Sequence, residues 1–92
     1  MKIVLIDANR MKDRMFHKYF KRKLGLKGYH GDNLDAMYDV LSSLREDLGI
    51  YVYNCQEENL SDYGESVWKT LKELEAQRDN IHLKTINISR RY

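Results

Sequence analysis

Asp35 and Asp39 stand one helical turn apart in the stretch Asn33-Leu34-Asp35-Ala36-Met37-Tyr38-Asp39-Val40-Leu41. Two carboxylates at that spacing could serve the metal site of a hydrolase, or form an anionic ridge offered to a cation elsewhere. Leu34, Met37, Leu41 and Leu44 recur at helical spacing and make a buried stripe, so the aspartates fall on a different face. No lysine or arginine lies three or four positions from either aspartate. Like charges so placed cost a helix about 0.2–0.5 kcal/mol. A pair kept without a local cation is suited to a cation on another molecule. The plain alternative is two solvated helix residues, with Asp35 helped by the positive helix start.

The enzyme readings of these acids fail on spacing. His17, His30 and His82 lie on three separate elements with no ligand spacing, so neither a metal nor a cofactor is expected. Gly25, Gly28 and Gly31 lie between two predicted helices instead of following a strand, which excludes a phosphate-cradling loop. No serine or cysteine has a nucleophile's context, and Cys55 reads as structural. The chain is therefore read as a binding protein and not an enzyme.

Charge is divided along the chain. Met1 to Gly28 carries nine bases against two acids, a local charge of +7. Tyr29 to Asp79 carries twelve acids against four bases, or −8, and the remainder adds +3 to leave +2 overall. Fields of one sign steer partners more than net charge does. The basic segment (Lys12, Arg14, Lys18, Lys21, Arg22, Lys23) raises a second reading, a small nucleic-acid-binding module. A solvated outer face is the simpler account, because the sequence offers neither a recognition-helix partner nor a stacking platform. Nucleic acid is thus not the expected partner.

The elements that must position the acids are legible. Lys2 to Asp7 reads as a strand whose run Ile3 to Ile6 is continuous and therefore buried. A helix is predicted from about Lys12 to Leu24 and ended by Gly25. Asp32 or Asn33 caps a second helix running to about Leu44. Gly49 separates that helix from a strand over Ile50 to Cys55. Gln56 to Gly64 reads as a loop with a helical turn. A third helix covers about Glu65 to Arg78, with Val67, Leu71 and Leu74 inward, and Ile81 to Ile88 is the last strand. The order gives a single α/β domain over residues 1–92, a three-stranded parallel β-sheet packed with three main α-helices. The apolar run of four residues, Ile3 to Ile6, is too short for a signal or membrane segment, and one cysteine fits a reducing compartment; a cytoplasmic location follows.

Tyr29 to Leu41 closely resembles the signature of the barstar family, intracellular inhibitors of barnase-type bacterial ribonucleases. That signature runs tyrosine, aromatic, glycine, acid, asparagine, leucine, aspartate, alanine, leucine, tryptophan, aspartate, alanine, leucine. Tyr29, Gly31, Asp32, Asn33, Leu34, Asp35, Ala36, Asp39 and Leu41 match it. His17 with Lys21-Arg22 is similar to the family's first helix, and Gly64-Glu65-Ser66-Val67 to the start of its last. Tyr38 and Leu44 stand where the family has tryptophans, Ser43 and Lys27 replace a glycine and a proline, and Arg45 adds a base.

The resemblance implies a barstar-like fold and a barnase-like, guanyl-specific secreted ribonuclease as partner, with the inhibitor monomeric when free. It implies a contact surface of Tyr29, His30, Gly31, Asn33, Asp35, Tyr38, Asp39, Ser42, Glu46 and Glu73. Asp39 would enter the phosphate pocket and Asp35 the guanine site. Tyr29 would stack on the catalytic histidine, and Glu73 would add a peripheral ion pair. Read from the residues alone, Tyr29 and Tyr38 serve equally as core-edge aromatics, Tyr38 the more so. Glu73 equally pairs with Lys69 or Lys72.

Overall fold

A computed structural model describes residues 1–26 and 28–87. In chain order it contains β1 (Lys2–Asp7), α1 (Phe16–Leu24), α2 (Leu34–Ser42), β2 (Leu48–Tyr53), α3 (Asp62–Gln77) and β3 (Ile81–Thr85), with short 3₁₀ turns at Ala8–Arg10 and Glu57–Asn59. The expected α/β class and the three-stranded parallel sheet are both present, in the order β1-β2-β3.

The sheet is covered differently from what β1's continuous apolar run predicts. Val4 and Ile6 are buried, but Ile3 and Leu5 between them are 55% and 47% exposed. The cause is topological. Three parallel strands in sequential order, joined by crossovers of one hand, place every helix on the same face. Val4 pairs with Ile50 and Ile6 with Val52 on the covered face, while Leu5 pairs with Tyr51 on the open one. The core lies between the covered face and Phe16, Phe20 and Leu24 of α1, Met37 and Leu41 of α2, and Val67, Leu71 and Leu74 of α3.

Element ends differ from expectation for local reasons. The turn before α1 holds residues that the pattern assigned to the helix: the Asp13 carboxylate accepts from the Met15 N–H at 2.9 Å, a bond that competes with helix. Gly25 ends α1 as predicted, in the left-handed region at φ 62°. α2 stops at Ser42, whose neighbour Ser43 closes the last turn on the Asp39 carbonyl. Gly49 is interior to β2 and not a separator; a side chain there would meet the Tyr51 ring at 3.0 Å. α3 starts at Asp62, three residues early, because the Ser61 hydroxyl accepts from the Gly64 N–H at 3.0 Å. β3 ends at Thr85, and the Ile88 end of the predicted strand lies outside the described residues. No helix of the described residues is long and apolar enough to cross a membrane.

Candidate functional site

The side chain that caps α2 is Asn33. Its Oδ1 accepts from the Ala36 N–H at 2.8 Å, and its backbone is extended, as a capping residue requires. Gly31, at φ 91°, turns the chain into that cap. Replacing Asn33 with Ala is expected to cost about 1 kcal/mol of stability, read as a lower urea midpoint at unchanged slope. An unchanged midpoint would show that the cap does not hold the helix.

Asp32, the other capping candidate, is occupied elsewhere. Its carboxylate sits 2.8 Å from Lys21 Nζ on α1, and its carbonyl accepts from Arg14 Nε at 3.3 Å. The Lys21 hydrogen bond holds the Asp32 carboxyl below its usual range. These contacts fasten the loop before α2 to α1.

Asp35 and Asp39 are exposed on α2, on the side away from buried Met37 and Leu41. Among the described residues the one ion pair is Lys21–Asp32, so neither aspartate is neutralised by a cation of its own molecule there. The far end of α2 is also fastened. Arg78 Nη2 and Asn80 Nδ2 both donate to the Leu44 carbonyl at 2.8 Å, and Asn80 Nδ2 also reaches the Glu46 carbonyl at 2.9 Å. Arg78 and Asn80 escaped the sequence reading because their targets lie more than thirty positions away and are backbone atoms. The result is a helix held at both ends with two outward-facing charges that no cation among the described residues pairs.

The remaining predicted site residues divide. His30 and Gly31 are exposed in the loop before α2. Asn33 is exposed with its oxygen committed to the cap. Tyr38 is half-buried, and its hydroxyl donates to Gln77 Oε1 on α3 at 2.6 Å. Glu73 lies one turn before Gln77 on the same face of α3, and is exposed with no ion pair to Lys69 or Lys72. Ser42 Oγ donates to the Asp39 carbonyl at 3.1 Å, and Glu46 is exposed just beyond α2.

Tyr29 is where the geometry departs from the expected contact role. Its ring is 6% exposed and packs edge-on to Phe20, with Lys21 Nζ 5.1 Å from the ring centre. Its hydroxyl lies 2.6 Å from Nδ1 of His17, and the Tyr63 hydroxyl lies 2.5 Å from Nε2 of the same fully buried imidazole. Of the two tyrosines, Tyr29 is the core aromatic and Tyr38 the edge one. Burial lowers the His17 pKa, opposed by Asp32 and assisted by Arg14 and Lys21. A neutral imidazole has one N–H, so one hydroxyl accepts from it and the other donates to it. His17 thereby joins α1, the loop before α2 and the start of α3 at one point. The same burial, helped by Tyr63 and Asp32, raises the Tyr29 pKa, which keeps the phenol protonated.

No group of three or more His, Cys, Asp or Glu side chains among the described residues is arranged to hold a metal ion. Burial, with Glu57 and Glu58 nearby, raises the Cys55 pKa, away from nucleophile chemistry. The arrangement supports charge presentation. A family model described as "Barstar (barnase inhibitor)" matches residues 1–87 of the 92. No curated protein matches the chain.

Proposed function

This chain belongs to the barstar family, and we propose that it inhibits a secreted, guanyl-preferring ribonuclease by seating the Asp35–Asp39 ridge of α2 in the nuclease active site. The observation that carries this reading is the pair of exposed carboxylates, without cations of their own among the described residues, on a helix fixed at both ends.

A ribonuclease must concentrate positive charge to bind a polyanion. A helix that already holds its acids in place meets that field with little loss of side-chain or loop entropy. Asp39 takes the phosphate pocket, and Asp35, a turn earlier, takes the guanine side. Tyr38, Ser42, Glu46, Glu73 and His30 form the surrounding contact. Tyr29, being buried, acts as a positioning residue that ties the loop before α2 to α1 and α3 through His17. The protein works as a monomer without catalysis, in the cytoplasm of a bacterium that exports the nuclease.

Titration of such a ribonuclease with the chain should abolish RNA cleavage at one inhibitor per enzyme. The association rate should fall as salt rises, because exposed charges steer the encounter over about a Debye length. Full nuclease activity at a large molar excess of the chain would remove the inhibitor reading.

A further inference from the structure

We infer that the outer face of α1 is a second binding surface, of opposite sign to the ridge, which takes the phosphodiester backbone of RNA. Arg10, Arg14, Lys18, Arg22 and Lys23 are all exposed and none forms an ion pair among the described residues, while Arg14 Nε donates to the Asp32 carbonyl. Helix electrostatics explain only part of this set. The C-terminal turn of a helix attracts cations, which accounts for Arg22 and Lys23. Lys18 lies in the first turn of α1, and Arg14 just before it, where the helix dipole repels cations. Lys18 and Arg22 are also like charges one turn apart, a mutually unfavourable spacing.

The cations are gathered, not scattered. The Arg10 guanidinium lies 4.4 Å from the centre of the Tyr19 ring, and Lys23 Nζ lies 5.6 Å from the same ring. Tyr19 thus draws a base from the turn after β1 alongside the last turn of α1, closing the strip. Lys21, on the same helix, is consumed by Asp32 and so does not belong to the strip.

The composition of the strip selects the partner. Phe16, Tyr19, Phe20 and Leu24 are buried, so α1 has no free apolar row with which to enter a membrane surface. Cores of protein interfaces are depleted of lysine and built on clustered apolar anchors; this face offers no exposed aromatic ring, and Met15, 63% exposed, is a lone apolar side chain among the bases. A line of phosphates needs only converging cations, without base contacts, and arginine's planar fork suits it. Such a surface would hold the inhibitor on the polymer that its target cleaves, raising its local concentration there. The inference stands apart from the inhibitor reading, because it concerns another face and is tested without a nuclease.

The test is fluorescence anisotropy of a labelled single-stranded RNA of about 12 nucleotides, a length within the range of sites that track a backbone. Binding in the nonspecific range, about 10⁻⁴–10⁻⁶ M, is expected, with log K falling against log salt at a slope of about −3 for four phosphates. The double variant Lys18→Gln with Arg22→Gln should bind about tenfold more weakly and reduce the slope to about −1.5. The variant Asp35→Ala with Asp39→Ala should bind as well as wild type or better. All four side chains are exposed, so thermal midpoints near wild type should accompany these results. An unchanged slope in the Lys18/Arg22 variant, or equal competition by a poly-glutamate of the same length, would overturn the inference.

Discussion

Asp39→Ala should weaken inhibition of the target ribonuclease by at least about thirtyfold while leaving the fold as stable as before or slightly more so. The two halves of that result have different causes. Removing one partner of a desolvated charge pair costs about 2–5 kcal/mol, since the nuclease's cations are left buried and unpaired. That range was established in part on the barnase–barstar pair, so it is a carried-over figure. Within the free protein, however, the Asp39 carboxylate has no cation among the described residues and faces Asp35 one turn away. Its loss relieves about 0.2–0.5 kcal/mol of like-charge repulsion. A purely structural aspartate would behave the opposite way, losing stability along with inhibition. Inhibition constants and thermal midpoints measured on the same preparations separate the two. Equal potency of wild type and Asp39→Ala would take Asp39 out of the mechanism.

The second large effect falls on stability. His17→Phe keeps an aromatic volume near that of the imidazole but leaves the hydroxyls of Tyr29 and Tyr63 without their partner. An unsatisfied buried polar group costs about 1–3 kcal/mol, and Tyr29 is the more deeply buried of the two. We expect a loss of about 2–4 kcal/mol, which in a domain of this size lowers the thermal midpoint by about 10 °C or more. Against a total margin of about 5–15 kcal/mol the effect is severe. His17→Gln, whose amide can reach one hydroxyl, should fall between. A His17→Phe variant as stable as wild type would mean that the three elements are held together by other contacts.

The same residue sets a pH dependence. Burial lowers the folded-state pKa of His17 below its ordinary value of 6.5. The unfolded chain therefore binds the proton first as pH falls. Stability from this group is fully present above about pH 6.5 and is lost as pH drops toward the folded pKa. Asp32, whose folded pKa is also lowered, adds a loss of the same sign at more acid pH, below its ordinary 3.8. Urea midpoints between pH 7.5 and 5 should fall in the wild type and fall less in His17→Phe. Parallel curves for the two proteins would contradict the assignment.

Much of the ridge was visible in the sequence because it depends on short-range rules. The stripe of Leu34, Met37 and Leu41, the aspartates off that stripe and a capping residue before them all lie within a few helical turns, where spacing dictates direction. The choice between Asp32 and Asn33 as cap was not decidable locally. It turned on Lys21, a residue of another helix that claims Asp32. Tyr29 and Tyr38 exchanged places for the same kind of reason. Tyr29 is buried because His17 and Phe20 reach it across a turn and Tyr63 meets its imidazole partner from α3, contacts that carry no periodic signal. Ile3 and Leu5 were expected in the core because their strand is uniformly apolar. Which face a parallel sheet leaves open is set by the hand and order of its crossovers, a property of the whole chain.

The claim on which the inhibitor reading rests is that Asp39 occupies the place of an RNA phosphate. A double-mutant cycle between Asp39→Ala and alanine replacement of a phosphate-binding arginine in the nuclease measures it directly. Substitution for phosphate requires positive coupling, on the scale of the about 1.5 kcal/mol or more known for close charge pairs of barnase–barstar itself, with each single variant weakening the complex and the double variant weakening it by less than their sum. Additive losses, with coupling within about 0.3 kcal/mol of zero, would show that Asp39 and the phosphate pocket do not meet.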